Sequence, residues 1–379
     1  MTLGKVSKSA KGESDSLLTS ISRFNSKMPS NNPEEETYLF LVEYFDPLPR
    51  LKRQYLLKLF VKEMDVEMVD LKSKKLFLKR SPVPEHVKRS DFFVGGNVLL
   101  YSRMLDIVEY GDGYTRKKLA TAMEPAVILA PASTQAMWGN LIETAGAKGM
   151  TVAAAKTVLF GPAQINEVQA TLGSSEGLND PAGVLVLHLA GPDGVAIASE
   201  ALEASGLGGN ALISPSTAVA EDLKGLLLGP KADMESSVTL DSCTCCIIKP
   251  HAVREGLIGP ILTHLSKQSY EISALSTQYF GTETAEEFLE VYKGVVPEYS
   301  DHVVELCGGM CVAIELRAQD AVRTFRQTAG PWDVEMAREL RPNTIRGMYG
   351  VDKVRNVVHC TDLDTDAIAE CEYVFKFMQ

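Results

Sequence analysis

Short hydrophobic segments separated by turn residues dominate the pattern between residues 37 and 120. They are rich in aromatic or β-branched side chains and are bounded by proline, aspartate or glycine, which is typical of strands. The segments are YLFLVEYF, RQYLLKLFV, VEMVD, KKLFLKR, VGGNVLLYSR and LDIVEY. The turn Gly111-Asp112-Gly113 then precedes a short helix. We therefore predict a small, mostly β barrel of PH-like type, closed by a helix.

The remaining chain contains one strand–loop–helix–strand unit twice. An offset of 120 residues aligns Gly139–Phe160 with Gly259–Phe280. The identical positions in this alignment are Gly139/Gly259, Ala154/Ala274, Thr157/Thr277 and Phe160/Phe280. The segment VILAP of the first copy likewise falls opposite CIIKP of the second, one residue out of register. This pattern predicts an internal duplication.

The second copy continues with two more predicted helix–strand pairs. A helix over 283–292, a strand over 310–316 and a helix over 320–328 precede a last strand that ends at Phe375–Phe377. This order favours a ferredoxin-like sandwich with its helices packed on an antiparallel sheet. The predicted fold class is α+β, a mostly β domain followed by two tandem ferredoxin-like domains. The predicted boundaries are a tail over 1–36 and domains over 37–120, 121–236 and 237–379.

The net charge of −11 is unevenly distributed along the 379 residues. Residues 37–120 carry +5, whereas 121–236 and 237–379 each carry −8, and 121–236 contains no arginine. The tail is neutral, polar and rich in serine, so we expect it to be disordered unless a partner orders it. These shifts in charge coincide with the predicted domain boundaries.

Composition excludes several classes of protein. The longest apolar stretch, Pro181–Ala190, is too short for a bilayer span, which needs about 20 residues. The N-terminus has no apolar signal segment, and seven irregularly spaced cysteines indicate reduced thiols in the cytosol. A pI near 5.2 without a long basic stripe disfavours nucleic-acid binding. Neither a membrane nor a nucleic acid is therefore an expected partner.

Known phosphate-loop and zinc motifs are absent from the sequence. There is no GxxxxGK[ST] segment. Cys243, Cys245 and Cys246 alternate along a predicted strand, but no distal cysteine pair or histidine cluster accompanies them. The spacing alone therefore predicts no metal site here.

Residues 344–370 carry the most informative chemistry. Arg346, Asn356 and His359 lie close together in TIRGMYGVDKVRNVVHCTD. Neutral imidazole is a nucleophile near pH 7, guanidinium matches phosphate oxygens, and an amide can hold a ribose hydroxyl, so this set suits phosphoryl transfer. Lys249 at the end of an apolar strand and Arg326 at the end of a helix are further candidates for phosphate binding. From spacing alone, a surface histidine flanked by solvated arginines remains the alternative.

Read together, these residues resemble the nucleoside diphosphate kinase family over about 237–379. The matching pieces occur in order: IIKP with Lys249, GLIG, the helix with Arg326, TIRG with Arg346, and NxxHxxD from Asn356 to Asp362. The resemblance implies that His359 takes the γ-phosphate of a nucleoside triphosphate as phosphohistidine and passes it to a diphosphate. It also implies that Glu370 orients the imidazole and that Mg²⁺ arrives with the nucleotide. The implied nucleotide-binding residues are Lys249, Arg326, Arg346, Asn356 and Tyr299, with Tyr299 stacking on the base.

Some positions depart from the family pattern. Leu289 stands where the family has a tyrosine near the phosphates, and Val295 stands near the place of an arginine. HCTD replaces HGSD, and Lys353 falls where an apolar residue flanks the base. Losing one charge-assisted hydrogen bond costs roughly 1.5–3 kcal/mol, or about ten- to hundredfold in rate. We therefore expect weak but real kinase activity.

The first copy lacks the same chemistry. Ala130 stands in place of Lys249, and His188 lies in the predicted strand VLVLHLA rather than at the nucleophile position. We expect residues 121–236 to be a catalytically inactive domain kept as a packing or docking surface.

The N-terminal segments resemble the domain named for doublet microtubules, which precedes two nucleoside diphosphate kinase modules in a ciliary protein. The resemblance is carried by YFDPLPRLKRQYLLKLF, VEMVDLKSKKLFLKR and DFFVGGNVLLYSRMLDIVEYGD. It implies residence in the axoneme of cilia and flagella, with tubulin and other inner proteins of the doublet microtubule as partners. A domain of charge +5 suits acidic tubulin, although an ordinary solvated basic face explains the charge as well. Two functions are therefore expected together, a scaffold and a kinase; the alternative is a purely structural protein that binds nucleotide without activity.

Overall fold

The computed structural model describes residues 35–378 except 47–50, 86, 95, 102, 120–122, 230–231 and 269. The chain divides into two compact units between residues 122 and 123. The tail predicted over 1–36 lies outside the described residues, apart from Glu35 and Glu36.

The N-terminal unit is one antiparallel sheet with strand order β4-β3-β2-β1-β6-β5. Its elements are β1 (Thr37–Asp46), β2 (Leu51–Phe60), β3 (Asp65–Asp70), β4 (Leu76–Pro82), β5 (Asn97–Leu100), β6 (Arg103–Tyr110) and α1 (Gly113–Leu119). Alternate aromatic and aliphatic residues of these strands form a single buried cluster. The prediction of a mostly β domain is confirmed.

Side-chain contacts, and not backbone hydrogen bonds between strands, connect the two edges of this sheet in the described residues. Among the described residues β4 and β5 are the edge strands. The Tyr101 hydroxyl donates to Pro82 O at 2.5 Å, and the Arg103 guanidinium lies 5.3 Å from the Phe77 ring. Helix α1 is fixed to β1 because the buried Thr115 hydroxyl accepts a hydrogen bond from Leu39 N at 2.9 Å.

The C-terminal unit alternates strands and helices. Its strands are β7 (Glu124–Pro131), β8 (Thr151–Leu159), β9 (Val184–Gly191), β10 (Leu212–Ile213), β11 (Glu235–Ser236), β12 (Cys243–Ile248), β13 (Glu271–Tyr279), β14 (Met310–Arg317) and β15 (Val358–Cys360). Its helices are α2 (Trp138–Ala147), α3 (Pro162–Leu172), α4 (Gly194–Ala204), α5 (Thr217–Leu227), α6 (Pro250–Arg254), α7 (Ile258–Ser266), α8 (Thr282–Phe288), α9 (Tyr299–Leu306), α10 (Ala321–Ala329), α11 (Val334–Leu340), α12 (Ile345–Tyr349) and α13 (Ala367–Glu372). In the described part of the chain, no helix combines the length and apolar character needed to cross a membrane.

The strand order within this unit is ferredoxin-like in both copies. The sheet runs β10-β7-β9-β8 and continues as β13-β14-β12-β15. If the strands of each copy are numbered 1 to 4 along the chain, both copies have the order 4-1-3-2. Strand 2 is therefore at one edge of each copy. The two second strands, β8 and β13, pair with each other, so both copies share one continuous sheet. The predicted fold class is confirmed.

Two of the four identical pairs, Thr157/Thr277 and Gly139/Gly259, lie at the contact between the two copies. The Thr277 hydroxyl accepts from Ala155 N at 3.2 Å, and the Thr157 hydroxyl accepts from Leu275 N at 2.8 Å. Ala155 and Leu275 are themselves separated by the repeat offset, so the two contacts are related by a pseudo-twofold axis.

Helices α2 and α7 cross on the same axis through two glycines. A Cβ atom added to Gly139 would lie 2.4 Å from Thr263 N, and one added to Gly259 would lie 2.7 Å from Glu143 N. Only residues without a side chain allow this close approach of the two backbones. The sequence repeat is thus preserved where the copies touch.

One predicted strand is wrong. The segment ending at Phe375–Phe377 is a helical turn that continues α13, and the fourth strand of the second copy is the short β15, which contains His359. Val374 and Phe375 are buried together with Cys371 on one side of this helix. Packing on the sheet therefore outweighs the strand preference of an aromatic-rich segment.

The helix crossing makes a prediction about two glycines of α2. Gly139→Ala should lower the free energy of unfolding by about 1–3 kcal/mol because the new methyl group meets backbone. Gly146→Ala should raise it by about 0.5–1 kcal/mol, since nothing lies within 4 Å of a Cβ atom there and alanine favours a helix. Urea denaturation of both variants gives the two values. Equal effects would contradict the tight crossing.

Candidate active site

His359 lies at the centre of β15, opposite Ile247 of β12, and its side chain is buried. Its Nε2 atom is 2.9 Å from Glu370 Oε2, and the Thr361 hydroxyl donates to the same oxygen at 2.8 Å. A carboxylate accepts hydrogen bonds only, so this contact favours the tautomer with the proton on Nε2. The Nδ1 atom then keeps the lone pair that a nucleophile needs.

Two aromatic rings pack edge-on against this imidazole. Phe288 and Tyr292 lie 4.9 and 6.3 Å from the His359 ring, measured between centroids. The Tyr292 hydroxyl donates to Asp362 Oδ2 at 2.7 Å, and burial raises the pKa of Tyr292 well above its usual value. Asp362 also pairs with Arg326, whose side chain is half exposed. The imidazole is therefore held by its surroundings on several sides.

Lys249 is a buried ammonium at the end of β12, where Pro250 begins α6. Its Nζ donates to Asn356 Oδ1 at 2.7 Å, to Val354 O at 2.9 Å and to His302 Nδ1 at 3.3 Å. Burial, reinforced by the charge of Arg346, lowers the pKa of Lys249 to about 7. A charged phosphate beside this group would reverse that effect.

Arg346 is a second buried cation, set by a short helix that Thr344 caps. Its guanidinium donates to Gly330 O and to Val358 O, both at 2.9 Å. The Nε atom has no partner in the structure. Because Val358 precedes His359 in β15, these bonds fix the cation relative to the imidazole.

Trp332 connects the two cations with the aromatic side of the site. Its ring lies 5.8 Å from Lys249 Nζ, 5.5 Å from Arg346 Cζ and 5.6 Å from the Tyr292 ring. The His302 ring is 4.9 Å away, and burial lowers the pKa of His302 to about 3. A continuous set of contacts thus runs from His359 through Tyr292 and Trp332 to the cations.

The remaining predicted residues are placed around this set. Asn356 is fully buried and holds both Lys249 and, at 3.4 Å, the Trp332 carbonyl. Tyr299 begins α9, where its hydroxyl donates to Glu286 O at 3.3 Å, so its stacking on a base stays a prediction. Leu289 is buried in the core, whereas Val295 is 76% exposed.

Sequence reasoning missed three members of the site. Tyr292, Trp332 and His302 belong to none of the motif segments, and helix α9 has an ordinary amphipathic pattern that gives His302 no distinguishing signal. Only the fold brings these side chains to Lys249 and His359.

A cleft of about 630 Å³ opens beside Arg326, Trp332 and Arg346. Arg323 and Arg341 also line it, while its carboxylates are Asp362 and Asp364. Asp362 is already engaged by Arg326 and Tyr292. Such an excess of guanidinium groups suits phosphates that bring their own divalent cation, and it does not suit a cation held by the protein alone.

The corresponding position of the first copy has no such cations. Ala130 is buried at the end of β7, where the second copy has Lys249. His188 is buried in the third strand, β9, and burial lowers its pKa to about 3. It therefore lies on a different strand of the fold from His359.

Comparison with known proteins identifies the family. The nucleoside diphosphate kinase family model matches residues 242–379. The Aquifex aeolicus nucleoside diphosphate kinase is 34% identical over 136 residues, which cover 36% of this chain and 95% of that protein. Its crystal structure has a TM-score of 0.35 with this chain. The sequence identity and coverage show that the chain belongs to the nucleoside diphosphate kinase family.

A more particular likeness extends over nearly the whole chain. Nucleoside diphosphate kinase homolog 7 of Mus musculus is 34% identical over 373 residues, which cover 91% of this chain and 94% of that protein. The Rattus norvegicus protein of the same name is 35% identical over the same length. The similarity therefore includes the N-terminal unit and both ferredoxin-like copies.

Buried Lys249 makes a prediction about pH. Its folded-state pKa, about 7, lies below its usual 10.5, so the unfolded chain binds more protons between these values. Stability of the native protein relative to Lys249→Met should therefore rise with pH in this window, by up to about 1.4 kcal/mol per pH unit. Denaturation at pH 7, 8, 9 and 10 measures this difference.

Lys267→Met, at the exposed end of α7, is the matched control and should show no such slope. A constant difference between Lys249→Met and the native protein over the same pH range would contradict the lowered pKa of Lys249.

Proposed function

We propose that the C-terminal copy transfers the γ-phosphate of a nucleoside triphosphate to a nucleoside diphosphate through His359. The observation that carries this proposal is the hydrogen bond between Glu370 and Nε2, which favours the tautomer with a lone pair on Nδ1. Contacts through Tyr292 and Trp332 connect this imidazole with Lys249 and Arg346. Carboxylate-held imidazole acts as a nucleophile in many transferases. The family to which the chain belongs supports the same reaction.

The reaction has two symmetrical halves. In the first, Nδ1 attacks the γ-phosphorus; the bond between nitrogen and phosphorus forms while the bond to the bridging oxygen breaks, and the diphosphate leaves. In the second, a different diphosphate takes the phosphoryl group by the reverse step. Glu370 keeps the Nε2 proton in place and stabilises the charge on the phosphorylated ring.

The cations act on the phosphate oxygens. Arg346 and Lys249 are positioned by carbonyl and amide oxygens, so they need little reorganisation when a phosphate binds. Arg326 must release Asp362 to join them, and Asn356 would hold the ribose. Mg²⁺ bound to the nucleotide would neutralise part of the phosphate charge.

Two features should make the reaction slow. Leu289 and Val295 offer no hydrogen bond where the family pattern has donors. The buried Lys249 does not line the cleft and lies 5.8 Å from the Trp332 ring, so the site must rearrange before a phosphate can reach this ammonium. Nucleotide binding without turnover is the alternative that these features favour.

Autophosphorylation with γ-labelled ATP tests the proposal. The native protein should take up acid-labile label, and His359→Ala should take up none. Glu370→Gln should reduce the initial rate about ten- to hundredfold, because it removes a charge-assisted hydrogen bond of roughly 1.5–3 kcal/mol.

His264→Ala is the matched control, since this histidine lies on α7 outside the contacts of the site. It should label like the native protein. Native protein without label, or label that survives His359→Ala, would overturn the proposed transfer.

We also propose that the chain is a scaffold of the ciliary doublet microtubule, with tubulin as its partner. The hairpin between β3 and β4 supports this role, because it exposes Lys72, Lys74, Lys75 and Lys79 in a domain of net charge +5. A basic surface of this kind attracts acidic proteins. The first copy, which has Ala130 at the position of Lys249 and contains no arginine, adds a folded surface without a phosphate site.

Extraction of axonemes with rising salt tests the scaffold role. A component built into the microtubule lattice should stay with the axoneme at salt concentrations that release exposed ionic contacts. A soluble enzyme that binds the axoneme only transiently should be released at moderate salt. Immunoblots of pellet and supernatant give the partition, and complete release at moderate salt would contradict the scaffold.

A further inference from the structure

Three cysteines and a glutamate converge on one face of the second sheet, away from the Lys249 site. Cys243 and Cys245 alternate along β12, so both point to the same face. Glu315 of β14 pairs directly with Cys245 and shares that face. Cys371 of α13 packs on it from above. The fold thus supplies the distal ligands that the sequence pattern lacks.

The donor atoms of this cluster are close together. The thiols of Cys243 and Cys371 and a carboxylate oxygen of Glu315 lie within 4.8 Å of one another. The Cys371 thiol also lies beside that of Cys245. Zinc–sulfur bonds of about 2.3 Å place tetrahedral ligands about 4 Å apart, so shifts of roughly 1 Å close the cluster around an ion.

Glu315 is a buried carboxylate without a cationic partner in the described part of the chain. Its Oε2 accepts from Thr239 N, the Thr239 hydroxyl and the Ser273 hydroxyl. Its Oε1 accepts from Leu240 N at 2.7 Å, and the carboxylate also lies within hydrogen-bond reach of the Cys243 thiol. An unneutralised charge in the interior is costly, and a divalent cation would offset that cost.

We propose that Cys243, Cys245, Cys371 and Glu315 form a structural zinc site. Three sulfur ligands select a thiophilic ion, and four protein ligands close its coordination sphere, as in structural sites. Each thiol releases its proton to solvent on binding. Magnesium and calcium prefer all-oxygen ligands and do not fit this set.

An entry path to the cluster exists. Cys243 lines a surface cleft together with Ser242, Ala367 and Ile368, whereas Cys245 and Cys371 lie wholly in the interior. An ion can thus reach the first thiol from solvent.

The ion would tie β12 to α13. Cys371 directly follows Glu370, the residue that holds His359 Nε2. Zinc would therefore be a positioning element for the imidazole, although the site itself does not rest on the proposed transfer.

Cobalt substitution tests the site in the full chain. Protein purified under reducing conditions and stripped by chelator should bind one Co²⁺ per chain, with thiolate-to-cobalt charge-transfer absorption and the visible bands of tetrahedral cobalt. Zinc should displace the cobalt and raise the melting temperature. Cys371→Ser should weaken cobalt binding at least tenfold, whereas Cys307→Ser, a buried thiol outside the cluster, should not.

Alkylation provides a measurement that does not depend on folded variants. Zinc should protect Cys243, which lines the cleft, from a maleimide, and mass mapping should show the same alkylation of Cys307 with and without zinc. Native protein without the charge-transfer band, equal binding by both variants, or a disulfide between Cys243 and Cys371 in the reduced preparation would overturn the proposal.

Discussion

The hydrogen bond between His359 Nε2 and Glu370 is the contact on which the chemistry of this chain depends. A neutral imidazole carries one proton, on either of its two nitrogens, and the Glu370 carboxylate favours the tautomer that is protonated on Nε2. Everything else in the site follows from keeping Nδ1 free. The strand β15 positions the ring, Phe288 and Tyr292 pack against it, and Trp332 connects Tyr292 with Lys249 and Arg346.

The two ferredoxin-like copies have the same strand order but differ in the charged residues that they carry. Apolar packing and the hydrogen bonds of Thr157 and Thr277 stabilise this fold, and neither requires a charged group. Cations at the end of the first strand are not needed for folding; burying Lys249 in fact costs free energy, as its lowered pKa indicates. Ala130 in that place of the first copy avoids this cost and offers no ammonium to a phosphate. Replacement of a buried charged residue by alanine is expected wherever a duplicated domain is not required for catalysis.

The fold could be predicted from the sequence because it rests on local patterns, and the charged candidates of the site could be named because they stand in short motifs. Strand alternation located most strands, and the order of IIKP, TIRG and NxxHxxD located Lys249, Arg346 and His359. Contacts between distant segments were missed, since neither Trp332 nor His302 stands in a motif. Cys371 was missed as a neighbour of Cys243 for the same reason. The C-terminal helical turn was predicted as a strand because its aromatic residues suit either element, and only packing on the sheet decides.

The glycine crossing of α2 and α7 has a consequence for assembly. Folds that pair their outer strands between separate subunits come apart on dilution, because their association follows mass action. Here both partners are segments of one polypeptide, so the effective concentration of each for the other is fixed by the linker. Subunit exchange cannot occur across this surface, and the first copy accompanies the second at a strict one-to-one ratio, however scarce the protein is.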